Sequence, residues 1–280
     1  MKRDRLLVVF HVYYHDQVPY FIDKMRNIHD CEWDMIVTYS EYSPCTESLL
    51  KSFKPDVRMI QVENVGYDVW PFVKVLEMVN LDEYDYIMKL HTKRDIEEKK
   101  KIQKIRLDMY GWRKLLVDAL LKSRYRFRRC LDLLRRNSQI GLVCSYELLK
   151  ELDGILPEDT WQLENEARRV GIDLSGNLFC AGTMFLVRAE PMKKIKDLGL
   201  DVNFWEPKSK SESIGTPAHV YERLLCFAVS DAGYRLRGVP TNLMLALQVF
   251  EFKNIRPTRK RLKRKLKQRL NAKAQDDNGR

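Results

Sequence analysis

The chain is 280 residues long, 45% hydrophobic and 32% charged, with 12 Gly and 10 Pro, which excludes a disordered, collagen-like or low-complexity protein. Its formal net charge of +11 is uneven: from Arg256 onward there are 11 Lys/Arg against two Asp. The body is therefore close to neutral and the basicity belongs to a tail, which disfavours a nucleic-acid protein working through its folded body. The six cysteines, at 31, 45, 130, 144, 180 and 226, contain no CxxC pair. That excludes a zinc ribbon or a compact disulfide framework and points to a reduced, cytoplasmic compartment. Apolar runs fall short of the roughly 18–20 residues that cross a bilayer, and the five apolar residues ahead of His11 are too few for a signal peptide.

In chain order, Leu6–Tyr14 is apolar and β-branched, as a buried parallel strand requires. Val18–Asn27 has helical spacing, with Phe21, Ile22, Met25 and Ile28 on one side. Met35–Tyr39 reads as a second strand, followed by Pro44 and a helix through Glu47–Phe53. Val57–Val62 is a third strand, Trp70–Val79 a helix with Pro71 in its first turn, and Tyr84–Leu90 a fourth strand. Strands separated by helices of this length imply βαβ units and a doubly wound sheet. Further on, Arg94–Arg106 is charged enough for an exposed loop or helix, and Trp112–Lys122 and Phe127–Arg136 are amphipathic helices. Ile140–Ser145 is a short strand, Asp159–Val170 a helix, and Leu178–Val187 a strand interrupted by Ala181-Gly182-Thr183. Pro217–Val229 is a helix, and Arg235–Val239 and Leu243–Phe250 close the globular part. The expected class is α/β, a mostly parallel Rossmann-type sheet flanked by helices. Residues 1–255 are expected to form one domain, with 1–95 a nucleotide-binding type of fold and 96–255 a less regular half, and 256–280 a basic amphipathic or disordered tail. Asn203–Gly215, rich in Lys, Ser and Glu, is the candidate for a loop over the site.

Ligands of open α/β sheets bind beyond the carboxyl ends of the strands, so the residues after each strand matter most. The turn after the first strand lacks GxGxxG and no GxxxxGK[ST] occurs, which makes dinucleotide oxidoreductases and P-loop enzymes poor candidates. His11 and Tyr13 follow the first strand. Glu63-Asn64-Val65-Gly66-Tyr67-Asp68 follows the third and offers a glycine for close backbone approach plus the polar groups of Asn64 and Asp68; a plain turn with Asp68 capping the next helix would look the same. After the fourth strand, alternation puts Lys89, His91 and Lys93 on one face. Three potential cations there suit a diphosphate, or are solvated groups at a surface strand end. Gly182 and Thr183 let a ligand come close or serve tight packing. His219 and Glu222, three apart on a helix, are a base with its orienting partner or an exposed pair.

Taken together, Phe10-His11-Val12-Tyr13-Tyr14, Glu63-Asn64-x-Gly66-x-Asp68-x-x-Pro71-Phe72, Lys89-Leu90-His91-Thr92-Lys93, Gly141-Leu142-Val143, Ala181-Gly182-Thr183-Met184-Phe185 and His219-x-x-Glu222-Arg223 form an ordered series. Over residues 5–240 it resembles the rhamnan synthesis protein F family. The resemblance implies a glycosyltransferase of the GT-A type, with the donor on residues 1–95 and the acceptor on 96–255, and an inverting transfer is the leading expectation. Its donor would be a dTDP- or UDP-sugar, rhamnose first, and its acceptor a growing lipid-linked cell-surface glycan. Donor contacts would come from His11, Tyr13, Asn64, Gly66, Asp68, Lys89, His91, Lys93, Gly182 and Thr183. Glu222 is preferred as base, with His219 orienting it or binding phosphate. Where many GT-A enzymes carry a metal-binding DxD motif this chain has His91-Thr92-Lys93. No metal cofactor is therefore expected, with Mg²⁺ or Mn²⁺ held by His91 beside Asp68 or Asp95 the disfavoured alternative.

The tail, with leucines at 262, 266 and 270 among cations, suits an anionic membrane surface contacted through 256–273, at the cytoplasmic face. Two rivals remain: a non-catalytic polysaccharide-assembly partner of the same fold, and an RNA-binding protein acting through the tail, which the neutral body disfavours.

Overall fold

A computed structural model describes residues 3–251 except 94–99, 103, 104, 108, 153–156, 175, 177, 197 and 206–215. The basic tail, Asp95 and most of the Asn203–Gly215 loop lie outside the described residues.

The first half alternates as its hydrophobic periodicity requires: β1 (Arg5–Val12), α1 (Val18–Met25), β2 (Glu32–Tyr39), α2 (Pro44–Phe53), β3 (Arg58–Gln61), α3 (Val69–Met78) and β4 (Tyr86–His91). Then come β5 (Lys100–Ile102), β6 (Ile105–Leu107), α4 (Met109–Leu121), α5 (Arg124–Arg136), β7 (Ile140–Ser145) and β8 (Leu149–Glu151). The chain continues with α6 (Pro157–Val170), β9 (Leu178–Cys180), β10 (Phe185–Arg188), α7 (Pro217–Asp231), β11 (Arg235–Val239) and α8 (Leu243–Phe250). Local chemistry sets several starts. Ser43 and Ser123 accept the Thr46 and Arg126 N–H groups at the heads of α2 and α5, which satisfies donors a helix leaves open.

Seven strands form one sheet in the order β11-β7-β10-β4-β1-β2-β3. All neighbours are parallel except the two pairs that β10 makes with β4 and β7. Side-chain alternation gives the sheet two apolar faces. Leu6, Val8, Phe10 and Val12 of β1 join residues of α1, α4 and α5 on one. Leu7 and Val9 join residues of α3 and α7 on the other. Strand order reverses between β1 and β4: β2 and β3 build outward from β1 on one side and β4 lies on the other. That is the switch point where such sheets leave a crevice at their carboxyl ends.

Two expectations change. The single strand over Leu178–Val187 is two strands in different sheets: β9 pairs antiparallel with β8, while β10 enters the main sheet. The break falls where Gly182 and Thr183 take positive φ, +86° and +48°, so the chain turns instead of running on. Of the charged segment 94–106, the described parts are strands, β5 and β6, paired antiparallel.

Candidate active site

At the last rung of the β1–β4 ladder, His11 lies directly opposite His91. The parity that sends Leu7, Val9 and Ile87 into the α3/α7 core also sends His11, Lys89 and His91 to that face. All three are buried, at 6%, 1% and 2% exposure. An isolated ammonium at that depth costs several kcal/mol, and Lys89 is not isolated. Its Nζ donates to Asp68 Oδ2 and, at 2.9 Å, to Thr183 Oγ1, while the Thr183 hydroxyl also donates to Asp68. Asp68 sits at the N-cap position of α3 but makes no side-chain cap bond; its carboxylate is turned into the crevice instead.

Gly66 and Tyr67 give Asp68 that direction, with successive left-handed φ of +60° and +56°. Gly66 is required there, because a Cβ would lie 2.7 Å from Trp70 Cβ and 2.8 Å from Trp205 Cε3. The turned-out Tyr67 ring meets the His219 ring edge-on at 5.8 Å. From the opposite side, Glu222 Oε1 accepts the Gly182 N–H at 2.7 Å, fixing the 182–183 turn against α7. His219 Nδ1 pairs with Thr216 Oγ1 at 2.7 Å.

The electrostatics differ from a cluster of three cations. Burial pushes His11 down to about 3 and His91 down to about 4, so both rings are neutral near pH 7. Both nitrogens of His91 face carbonyls, Thr92 O at 3.0 Å and Gly182 O at 2.9 Å; the neutral ring has one N–H and bonds only one of them. Burial also lowers Lys89, with Asp68 opposing the shift. Desolvation would raise Asp68, but the fields of His91, Lys89 and Lys93 and the Lys89 hydrogen bond outweigh it and hold the carboxyl well below its usual range.

The structure gathers His11, Asp68, Lys89, His91, Gly182, Thr183 and Glu222, with His219 reached through Tyr67. Gly66 acts through the backbone. Lys93 lies past the strand end, half-buried, within the field of Asp68 and His91. Tyr13 is 39% exposed at the rim, and Asn64 is exposed at the head of its turn. Sequence reasoning missed two residues that tie the rim together. Gln17, buried, exchanges both amide hydrogen bonds with the Lys93 backbone, at 2.6 and 3.0 Å. Thr92 Oγ1 accepts the Tyr13 and Tyr14 N–H groups at 2.9 Å. Thr92 sits between His91 and Lys93, where its place in the motif could have marked it; nothing in the sequence around Gln17 does so. Of the groups expected to hold a divalent cation, Asp68 Oδ2 is taken by an ammonium and a hydroxyl and His91 Nε2 stands beside it at 3.6 Å, while Asp95 lies outside the described residues. Among the described residues no three His, Cys, Asp or Glu side chains form a metal-holding group.

The family model described as rhamnan synthesis protein F matches residues 1–234. The chain belongs to that family. The WxcX protein of Xanthomonas campestris pv. campestris (strain B100), itself uncharacterized, is 27% identical over 183 residues, 65% of this chain and 25% of that protein. The chain thus spans about a quarter of the length of the curated relatives it matches. Among solved structures, the Pyrobaculum calidifontis mannosyltransferase PcManGT in complex with GDP-Man and Mn²⁺ is similar at TM-score 0.44 and 14% identity, over 86% of this chain and 55% of that one. The Mycobacterium tuberculosis glucosyl-3-phosphoglycerate synthase in complex with Mn²⁺, UDP and phosphoglyceric acid is similar at 0.44 and 13%, over 89% and 77%. S. aureus TarS 1–349 is similar at 0.41 and 10%, over 81% and 55%.

Proposed function

We propose that this rhamnan synthesis protein F family member is a glycosyltransferase that moves a sugar from a nucleotide-sugar donor to a growing cell-surface polysaccharide. One observation carries the reading: at the carboxyl edge of the switch point, β4 and the 182–183 turn bring charged and neutral polar groups onto Asp68 and Glu222, which come from two further segments. Buried polar groups gathered at the carboxyl edge of an open α/β sheet favour a binding site there.

In this reading the transfer is inverting. Glu222 Oε1 is occupied by the Gly182 N–H, leaving Oε2 to take the acceptor hydroxyl's proton as that oxygen attacks the anomeric carbon and the nucleoside diphosphate leaves. Neutral His11, its Nδ1 paired with Thr38 Oγ1 at 3.0 Å, orients a donor hydroxyl through Nε2, His91 supports the Gly182 turn on which the donor rests, and Lys93 meets the developing diphosphate charge as a fixed cation. Lys89 holds Asp68 and Thr183 in place instead of contacting phosphate. Rhamnose as dTDP-rhamnose is the first donor to test and a UDP-hexose the second. The acceptor is lipid-linked, and the tail, 256–273, holds the protein on an anionic membrane at the cytoplasmic face. Residues 1–255 act as one catalytic domain. The occupation of Asp68 Oδ2 by Lys89 is the ground for expecting a reaction without a divalent metal, and Mg²⁺ or Mn²⁺ held by His91 beside Asp68 or Asp95 is the alternative.

A calorimetric and thermal-shift screen of nucleotide sugars, in EDTA and with Mg²⁺ or Mn²⁺, tests this. A donor at 100 times its Kd stabilises the fold by about 2.7 kcal/mol, and the shift should persist in EDTA. A shift seen only with metal would overturn the metal-independent reading while keeping the transferase. Silence towards every nucleotide would favour the non-catalytic partner.

A further inference from the structure

The last described helix carries its apolar residues on two sides. On one side α8 buries Leu245, Ala246 and Val249, and Leu245 and Val249 join the core cluster that also holds residues of α1, α4 and α5. On the other, Leu243, Met244 and Leu247 are 70%, 67% and 54% exposed. Their spacing gathers them into one patch about opposite the buried residues. Scattered exposed apolar residues are ordinary, whereas a contiguous patch marks a contact surface.

This helix is fixed to the body. Asn242 accepts the Leu245 N–H at 3.2 Å. Buried Glu147 takes the Thr241 and Asn242 N–H groups at 2.8 and 3.1 Å, and the Ser145 hydroxyl at 2.9 Å. The Thr241 hydroxyl donates to Leu115 O at 3.1 Å. The patch is thus presented rigidly.

Beyond α8 the sequence turns strongly basic. Between Lys253 and Lys273 there are 11 Lys/Arg and no Asp or Glu. An apolar patch continued by unbroken positive charge complements a surface that is anionic on top and apolar beneath. Nucleic acid has no use for three exposed aliphatic side chains, and a second copy of this chain would bring its own cations against them.

We propose that α8 is a membrane-insertion face. Leu243, Met244 and Leu247 enter below the headgroups of an anionic bilayer while residues 253–273 lie along the headgroups. The helix comes after β11 in the chain, which runs parallel to β7, and so begins at the carboxyl edge of the sheet, the edge that holds His91 and Asp68. Docking there brings the candidate active site to the height of a lipid-borne acceptor. This deepens the membrane reading of the tail and rests on it.

The test uses the full chain and co-sedimentation with vesicles of phosphatidylcholine alone or mixed equally with phosphatidylglycerol. The wild type should bind the anionic vesicles and leave the neutral ones. The triple variant Leu243→Ser, Met244→Ser, Leu247→Ser should bind at least tenfold more weakly, about 1.4 kcal/mol, with an unchanged melting temperature. In a Cys45→Ser background, an environment-sensitive fluorophore on Leu247→Cys should shift to the blue on anionic vesicles. Three results would each overturn the proposal: triple-variant binding equal to wild type, which leaves the tail acting alone; no vesicle binding at all; or a wild-type dimer in solution that the triple variant loses. Donor binding measured on the same samples reports separately on the transferase, so either reading can fail without the other.

Discussion

Lys89 and Asp68 are held by each other, since a buried ion whose partner is removed costs about 3–5 kcal/mol while replacing both is often neutral. Asp68→Asn should therefore lower stability by roughly that amount, because Lys89 is 1% exposed and has nowhere to go. Lys89→Met should cost less, since the Asp68 side chain retains 16% exposure and can reach water. The double variant should recover most of the loss. Urea denaturation of the four proteins checks this, and a double variant as unstable as Asp68→Asn would contradict the pairing.

His11 and His91 make a prediction about pH. Unfolded, each titrates near 6.5; folded, burial depresses them to about 3 and about 4. Between those values the unfolded chain binds more protons, so stability falls as pH is lowered from 6.5 and the slope fades below about 4. The loss is up to roughly 1.4 kcal/mol per pH unit for each ring. Asp68, held well below its usual range, adds its own loss of stability once pH nears the ordinary carboxylate range, so the histidine contribution is read between pH 7 and 5. Melting temperatures at pH 7 and 5 should differ by less in His11→Gln/His91→Gln than in wild type.

The elements that build the site are short and depend on conformations few residues adopt. Gly66→Ala would force a Cβ to 2.7 Å from Trp70 Cβ at a φ of +60°. Such overpacking typically costs about 1–3 kcal/mol, which for a chain of this size lowers the melting temperature by a few degrees per kcal/mol. Because Tyr67 and Asp68 take their directions from this turn, donor affinity should fall along with stability, and calorimetry on the folded variant separates the two. The turn was legible as a glycine between polar groups, but its second left-handed residue, Tyr67, was not, because an aromatic side chain gives no local signal for positive φ. The break between β9 and β10 was half legible: Ala181-Gly182-Thr183 marked the interruption, while the separate partners of the two strands depend on residues far away in sequence.

At the scale of the whole molecule, the contacts that join the two halves predict one cooperative unit. The edge of β4 is closed by β10, Lys89 needs Thr183 from the second half, and the α3 side of the sheet is covered by α7. Residues 1–95 expressed alone should therefore show little dispersed NMR signal, and the full chain should melt in a single calorimetric transition. A folded, stable 1–95 fragment would contradict this.

The amino-acid sequence by itself determined the strand–helix alternation of the first half, the near-neutral body and the segments that come after its strand ends, because periodicity and charge are read over neighbouring residues. It placed Lys89 and His91 on one face, since strand alternation is local. Only the tertiary structure decided what that face does. Lys89 is a buried partner of Asp68 and Thr183, 21 and 94 residues away, and not a free cation. Asp68 points into the crevice and leaves the helix uncapped. His11 and His91 are neutral because burial sets their protonation, and burial is a property of the assembled sheet and helices, which no stretch of the chain possesses alone.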